Sequence, residues 1–195
     1  MSRRQVVGFA VFFVLLGLAL LLRGGDPAPA QAQASRPDLA TLRAEAALAP
    51  CPQGVSPRLP DLTLPCLGGG PDVRLRGTPS GRPTLVNVWG TWCSPCLRET
   101  DELAGFAARA QGQVDLLGVL TTDEVESGLQ YTAQVGARWP SVVDDDGRVQ
   151  RAFAAGPPVT LFVDGGGTIV HVRRGEFTSV EQITDLTARH LGVRL

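Results

Sequence analysis

The chain contains no lysine, and all 18 of its basic residues are arginine. That absence removes Schiff-base chemistry and the phosphate-binding lysine of a Walker loop. Histidine is scarce as well. His171 and His190 lie far apart in sequence, which leaves His-rich metal sites without ligands. Formal net charge is -1 and the arginines occur singly or in isolated pairs, so the electrostatic footprint of nucleic-acid binding is missing. There is no internal repeat, and no cysteine closes the apolar N-terminal run, so lipoprotein-type attachment has no acceptor there. Neither a metal nor a cofactor is implied, and the chemistry falls to four cysteines.

What is present is an ordinary globular composition. With 195 residues, 44% hydrophobic and 19% charged, the chain has room for one substantial core plus appendages. Arg3 and Arg4 precede residues 6–22, "VVGFAVFFVLLGLALLL", an uncharged run closed by Arg23. Its length is near the lower limit for spanning hydrocarbon and longer than most signal-peptide cores. Two readings fit: an uncleaved single-pass anchor with its basic end in the cytoplasm, or a signal peptide cut near "APAQAQA". Length favours the anchor, and either way the domain is exported. A buried core helix is the poorer reading, because such a run at the extreme terminus behind two arginines is a targeting pattern. Residues 24–50 are expected to form a tether: "GGDPAPAQAQAS" lacks an apolar period, although Leu39, Leu42 and Ala46 share one face of a short helix between Pro37 and Pro50. The folded domain is then 51–195.

Within that domain the pattern alternates. Residues 62–64 and 73–75 read as short strands around "GGGPD", and 84–89 as a buried central strand. A helix over 94–110 turns Leu97, Leu103, Phe106 and Ala107 inward, and a strand follows at 114–120. A helix at 124–135, a strand at "SVVD" and a short helix at 149–153 come next. Strands at 159–164 and 168–173, joined by "GGG", and a closing helix marked by Val180, Ile183, Leu186 and Leu191 complete the chain. Strands alternating with helices imply an α/β fold, with a central sheet flanked by helices.

The chemistry gathers in "VNVWGTWCSPCLRET", where an apolar strand gives way to a helix. Cys93 falls at the first turn of that helix, where free N–H groups and the positive end of the dipole stabilise a thiolate and hold its pKa below that of a free thiol. Cys96, one turn further in, is expected to be more buried and less ionised, which suits it to resolve a mixed disulfide. Pro95 stiffens the turn at a position that tolerates a missing N–H. A permanent staple is the weaker reading, because so short a loop removes little unfolded-state entropy. Zinc is weaker still, since only one of the two cysteine pairs has chelating spacing.

"VWGTWCSPC", followed far downstream by the Pro-x-Thr of "PVTLFVD", resembles the thioredoxin-like thiol:disulfide oxidoreductases, and within them the membrane-tethered, extracytoplasmic TlpA/ResA group. The similarity covers about residues 59–195, including an αβ insertion between Thr121 and Asp144. The resemblance implies a thioredoxin fold carrying that insertion and an N-terminal extension. It implies that Pro158 is a cis-proline facing Cys93. It also implies reduction of protein disulfides, such as those of apocytochrome c before haem attachment, with electrons from a transmembrane thiol donor. Disulfide oxidation or isomerisation, and a non-catalytic binding module, remain the alternatives. The protein is expected to act as a monomer.

Two positions depart from relatives. Pro157 precedes Pro158 and has no N–H, so substrate recognition is expected to lean on carbonyl and apolar contact. Asn87 stands where plain thioredoxin has a buried aspartate, and an amide is no base. Glu99, one turn beyond Cys96, matches an active-site glutamate of the group and is the candidate for handling the Cys96 proton; the alternative is an ordinary exposed helix residue. Trp89 reads as core, and Trp92 as an exposed platform for substrate. Cys51 and Cys66, in "CPQGVSPRLPDLTLPC", read as a structural disulfide pinning the N-terminal segment, the sharper alternative being a second redox pair. "DDDG" at 144–147 reads as a solvated turn rather than a cation site.

Overall fold

The computed structural model describes residues 38–154 and 156–195. The anchor or signal peptide and most of the tether lie outside them, and no helix among the described residues is long and apolar enough to cross a membrane.

Five strands form the central sheet, in the order β5-β4-β3-β6-β7. They are β3 (Thr84–Trp89), β4 (Asp115–Thr121), β5 (Ser141–Asp144), β6 (Val159–Val163) and β7 (Ile169–Arg174). β3, β4 and β5 run parallel, whereas β6 pairs antiparallel with both β3 and β7. Central β3 is buried on both faces from Leu85 onward, which is why it reads as a continuous apolar run. A separate antiparallel pair, β1 (Thr63–Leu64) and β2 (Val73–Arg74), precedes it.

The two faces are covered differently. Val86, Val88, Leu117, Val119 and Leu161 pack under Leu59, Leu64 and Val73 from the N-terminal hairpin and under Val149 of α5 (Arg148–Ala152). The opposite face carries Leu85 and Phe162 against Leu103 and Phe106 of α3 (Thr100–Ala110) and Ile183 and Leu186 of α6 (Val180–Leu191). Ser179 caps α6, accepting from Gln182 N, while Gly192 ends it at φ 71°.

The structure corrects four expectations. The helix over 94–110 is broken into α2 (Ser94–Arg98) and α3, with Leu97 and Ala107 only half-buried. The Thr100 hydroxyl donates to Cys96 O at 3.1 Å across the break. Next, the short helix expected between Pro37 and Pro50 forms, but its stretch belongs to the compact unit Pro37–Leu195 rather than trailing as tether. α1 (Leu39–Ala46) is capped by Asp38 and buries Leu42 and Ala46 in a cluster with Leu67, Trp89, Leu129 and Val143, while Leu39 is exposed. Third, Asp144 is not solvated. It is wholly buried, its Oδ2 accepting from Thr121 Oγ1 and from the Val149 and Gln150 amides that open α5. The fourth concerns Cys93 and Cys96 and is taken up below. Folding also brings together the two distant histidines: His171 and His190 stack with ring centroids 4.1 Å apart.

Candidate active site

Central β3 ends at Trp89, and residues 90–92 turn the chain into α2. Trp92 folds back over Gly90, whose added Cβ would sit 2.7 Å from Trp92 Nε1, so a larger residue there would displace the indole. The indole donates to Thr121 O at 3.3 Å yet remains 53% exposed. Asp123, at the entry to α4 (Val125–Val135), accepts from Thr91 N and fixes the turn from the other side.

Cys93 is the N-cap of α2, and its Sγ accepts from Cys96 N at 3.3 Å. The two cysteines form a disulfide with their Cα atoms 5.3 Å apart, and Pro95 occupies the first helical turn. The expected contrast in depth is absent: Cys93 is 4% exposed and Cys96 3%. Their difference is electrostatic rather than one of depth, because the amide that points at a sulfur points at that of Cys93.

The Pro157–Pro158 peptide bond is cis, and Pro158 is buried. Pro157 O lies 3.4 Å from Cys93 Sγ, so the proline turn faces the cysteine at the helix start. Gly175 N donates to Pro158 O at 3.0 Å.

Glu99 is wholly buried, not an exposed helix residue. Its Oε1 accepts from Asn87 Nδ2 at 2.8 Å, and its Oε2 from Phe177 N at 2.9 Å. Asn87 Nδ2 also donates to Thr160 Oγ1 at 3.0 Å, across the register that pairs the two residues. Burial pushes the Glu99 carboxyl up from 4.5 to about 7, and nearby Glu176 adds to the rise. The Phe177 and Asn87 hydrogen bonds and the charge of Arg173 pull it back. Cys96 and Asn87 line one small cavity, together with Trp89, Thr100 and Tyr131. Tyr131 OH donates to Thr100 Oγ1 at 2.8 Å, with Leu97 O 3.2 Å away, which ties the insertion helix α4 to the end of α2.

The residues matched by the AhpC/TSA family profile, 55–172, include all of these turns except Phe177 and its neighbours. The chain belongs to the AhpC/TSA family. Over 113 residues it is 32% identical to the thiol:disulfide interchange protein DsbE of Xylella fastidiosa, covering 56% of each chain. It is 30% identical over 100 residues to the thiol-disulfide oxidoreductase ResA of Geobacillus thermodenitrificans, covering 50% of this chain and 58% of ResA. The chain thus spans a little over half the length of these curated relatives. Among solved structures, DsbF of Mycobacterium tuberculosis superposes with a TM-score of 0.59 at 25% identity, over 69% of this chain and 98% of DsbF. A thioredoxin-like protein of Porphyromonas gingivalis gives 0.59 at 26% identity, over 70% and 93%. The fold is thioredoxin-like, as its five-stranded mixed sheet and flanking helices require.

The family's cysteine chemistry was legible in this chain from C-x-x-C spacing and Pro-x-Thr. Thr160, the Phe177 amide and Tyr131 were not singled out. Thr160 stood inside the quoted Pro-x-Thr motif and could have been found there; nothing in the sequence marks a backbone N–H 78 positions beyond Glu99.

Among the described residues the second pair, Cys51 and Cys66, forms a disulfide with Cα atoms 6.1 Å apart, and Cys66 bridges to Val142 on β5.

Proposed function

We propose that the protein is a membrane-anchored, extracytoplasmic thiol:disulfide oxidoreductase that reduces disulfides in other proteins, apocytochrome c among them, and receives electrons from a transmembrane thiol donor. The observation that carries this is the Cys93–Cys96 disulfide at a helix start, faced by the cis-proline turn and backed by a buried carboxyl. Similarity to DsbE and ResA supports the same chemistry. In the reduced protein the Cys93 thiolate attacks a substrate disulfide, forming a mixed disulfide and expelling one substrate thiolate. Cys96 then gives its proton to Glu99 and attacks Cys93 Sγ. The Cys93–substrate bond breaks, the second substrate sulfur leaves, and two electrons have passed from protein to substrate. Trp92 and the Pro157–Pro158 turn border the sulfur and offer the substrate an apolar ledge and a backbone free of a competing donor at 157. Cys51–Cys66 serves as a structural clasp between the N-terminal segment and the β5 edge.

Trapping tests the reading. In intact cells Cys96→Ser should accumulate mixed disulfides through Cys93, resolved by reductant and identified by mass spectrometry. If no such adduct forms and Cys93→Ser has no consequence for substrate redox state, the exchange reaction is wrong. A potential for the Cys93–Cys96 couple as oxidising as that of the strong oxidant DsbA, about -120 mV, would reverse the direction instead.

A further inference from the structure

The register of the sheet places Asn87, Thr160 and Arg173 in one row, Asn87 opposite Thr160 and Thr160 opposite Arg173. Residues of one row share a face. The first two form the hydrogen-bonded floor beneath Glu99, and the third is a cation. Arg173 Nη2 donates to Glu176 O at 3.1 Å, while the next amide, Phe177 N, donates to Glu99 Oε2 at 2.9 Å. That carbonyl and that amide belong to the same peptide unit. A cation at its oxygen end and a carboxylate at its hydrogen end polarise it in the same direction, so each hydrogen bond strengthens the other. The guanidinium also lies 5.9 Å from the centroid of the Phe177 ring, and its Nε is buried without an acceptor among the described residues.

We propose that Arg173 is a positioning residue for Glu99: through the Glu176–Phe177 peptide it holds an oriented N–H on the carboxylate and supplies the positive charge that allows ionisation in a buried site. The inference rests on the reading that Glu99 accepts the Cys96 proton. Arg173 itself makes and breaks no covalent bond. The surrounding charges leave this role to it. Glu176 repels the Glu99 carboxylate but is engaged by Arg98 of α2 at 2.8 and 3.0 Å. β3 and β6 present only the uncharged Asn87 and Thr160. On α3, Asp101 is exposed and Glu102 half-buried; on α6, Glu181 is exposed and pairs with Arg109.

The experiment follows the full chain, reduced, reacting with the aromatic disulfide 5,5′-dithiobis(2-nitrobenzoate). Attack by Cys93 releases the first thionitrobenzoate, and closure by Cys96 releases the second. The second phase, followed from pH 5 to 9, should rise along a limb set by Glu99, and Glu99→Gln should abolish that limb. Arg173→Gln should move the limb upward by about one pH unit while leaving the first phase unchanged. Arg173→Lys, which keeps the charge, should return it most of the way. A limb that stays in place in Arg173→Gln, with Glu99→Gln still abolishing it, overturns the role of Arg173 alone. A limb that survives Glu99→Gln overturns the reading of Glu99 beneath it, and the proposal with it. If Arg173→Gln fails to fold, Arg173→Lys decides: a limb near that of the wild type supports the charge, and one displaced by a full pH unit overturns it.

Discussion

Glu99→Gln should make the protein more stable at alkaline pH and remove a pH dependence that the wild type carries. The carboxyl titrates at 4.5 in ordinary surroundings and at about 7 in the fold. Its folded value is raised, so its stabilising contribution is complete below about pH 4.5, where it is protonated in both states, and is lost as pH rises through 7. Each pH unit between the two values costs about 1.4 kcal/mol, which gives about 3.5 kcal/mol in all, of which about 2.5 kcal/mol falls between pH 5 and 8. The substituted amide can keep both hydrogen bonds that the carboxylate makes. Asn87 turns its amide to present Oδ1, the Thr160 hydroxyl rotates to donate, and the Phe177 N–H keeps an acceptor. The assay is urea unfolding of the oxidised protein at pH 5 and pH 8, followed by tryptophan fluorescence, with wild type and variant side by side. His171, whose pKa is lowered by burial and by the neighbouring His190 and arginines, gives a slope of opposite sign in this range; it is present in both proteins and cancels in the difference. A difference between the two proteins that stays constant from pH 5 to 8 would refute the reasoning, because the carboxyl would then titrate alike in the folded and unfolded chain.

Three further outcomes are expected. Replacing Cys51 and Cys66 together by alanine opens a loop of separation 15 and should cost about 3 kcal/mol in urea unfolding, with the Cys93–Cys96 potential unchanged. Leu42→Ala truncates a side chain 2% exposed that packs in the cluster containing Cys93, Cys96 and Trp89, and should cost about 2–5 kcal/mol by thermal unfolding. Gly118→Ala places a Cβ against Ser141 Oγ and 2.9 Å from Trp89 Nε1, and should cost about 1–3 kcal/mol, part of it recovered when Ser141→Ala is added.

Where one-dimensional pattern matches one local force, the sequence was sufficient. The apolar run 84–89 became the central strand, and Val180, Ile183, Leu186 and Leu191 fell within α6. Pattern failed where a side chain answers to a distant backbone. Asp144 opens a run of three acids, which suggests solvent, yet two α5 amides and Thr121 claim its carboxylate. Helix periodicity over 94–110 could not register the break at Glu99, whose carboxylate is claimed by Asn87 and by the Phe177 amide 78 positions on. The short helix around Leu42 was legible from Leu42 and Ala46 on one face; its docking was not, because the cluster that holds it is built from residues up to about 100 positions away.

The segment 173–177 shows how the parts of the site are held in common. Gly175 adopts φ 88° and donates its N–H to Pro158 O, so the turn grips the proline loop that faces Cys93. Two residues later the Phe177 N–H grips Glu99, and between them the Glu176 side chain takes both ends of the Arg98 fork on α2. The proline loop, the buried carboxyl and the helix bearing both cysteines are therefore fastened to one five-residue connection. Its backbone cannot shift toward any one of them without lengthening hydrogen bonds to the others, and such bonds weaken steeply with distance and angle. In the proposed reaction, a substrate that pulls on the proline turn should for that reason be felt at Glu99, which would link occupancy of the sulfur's outer face to the proton that Glu99 is proposed to take.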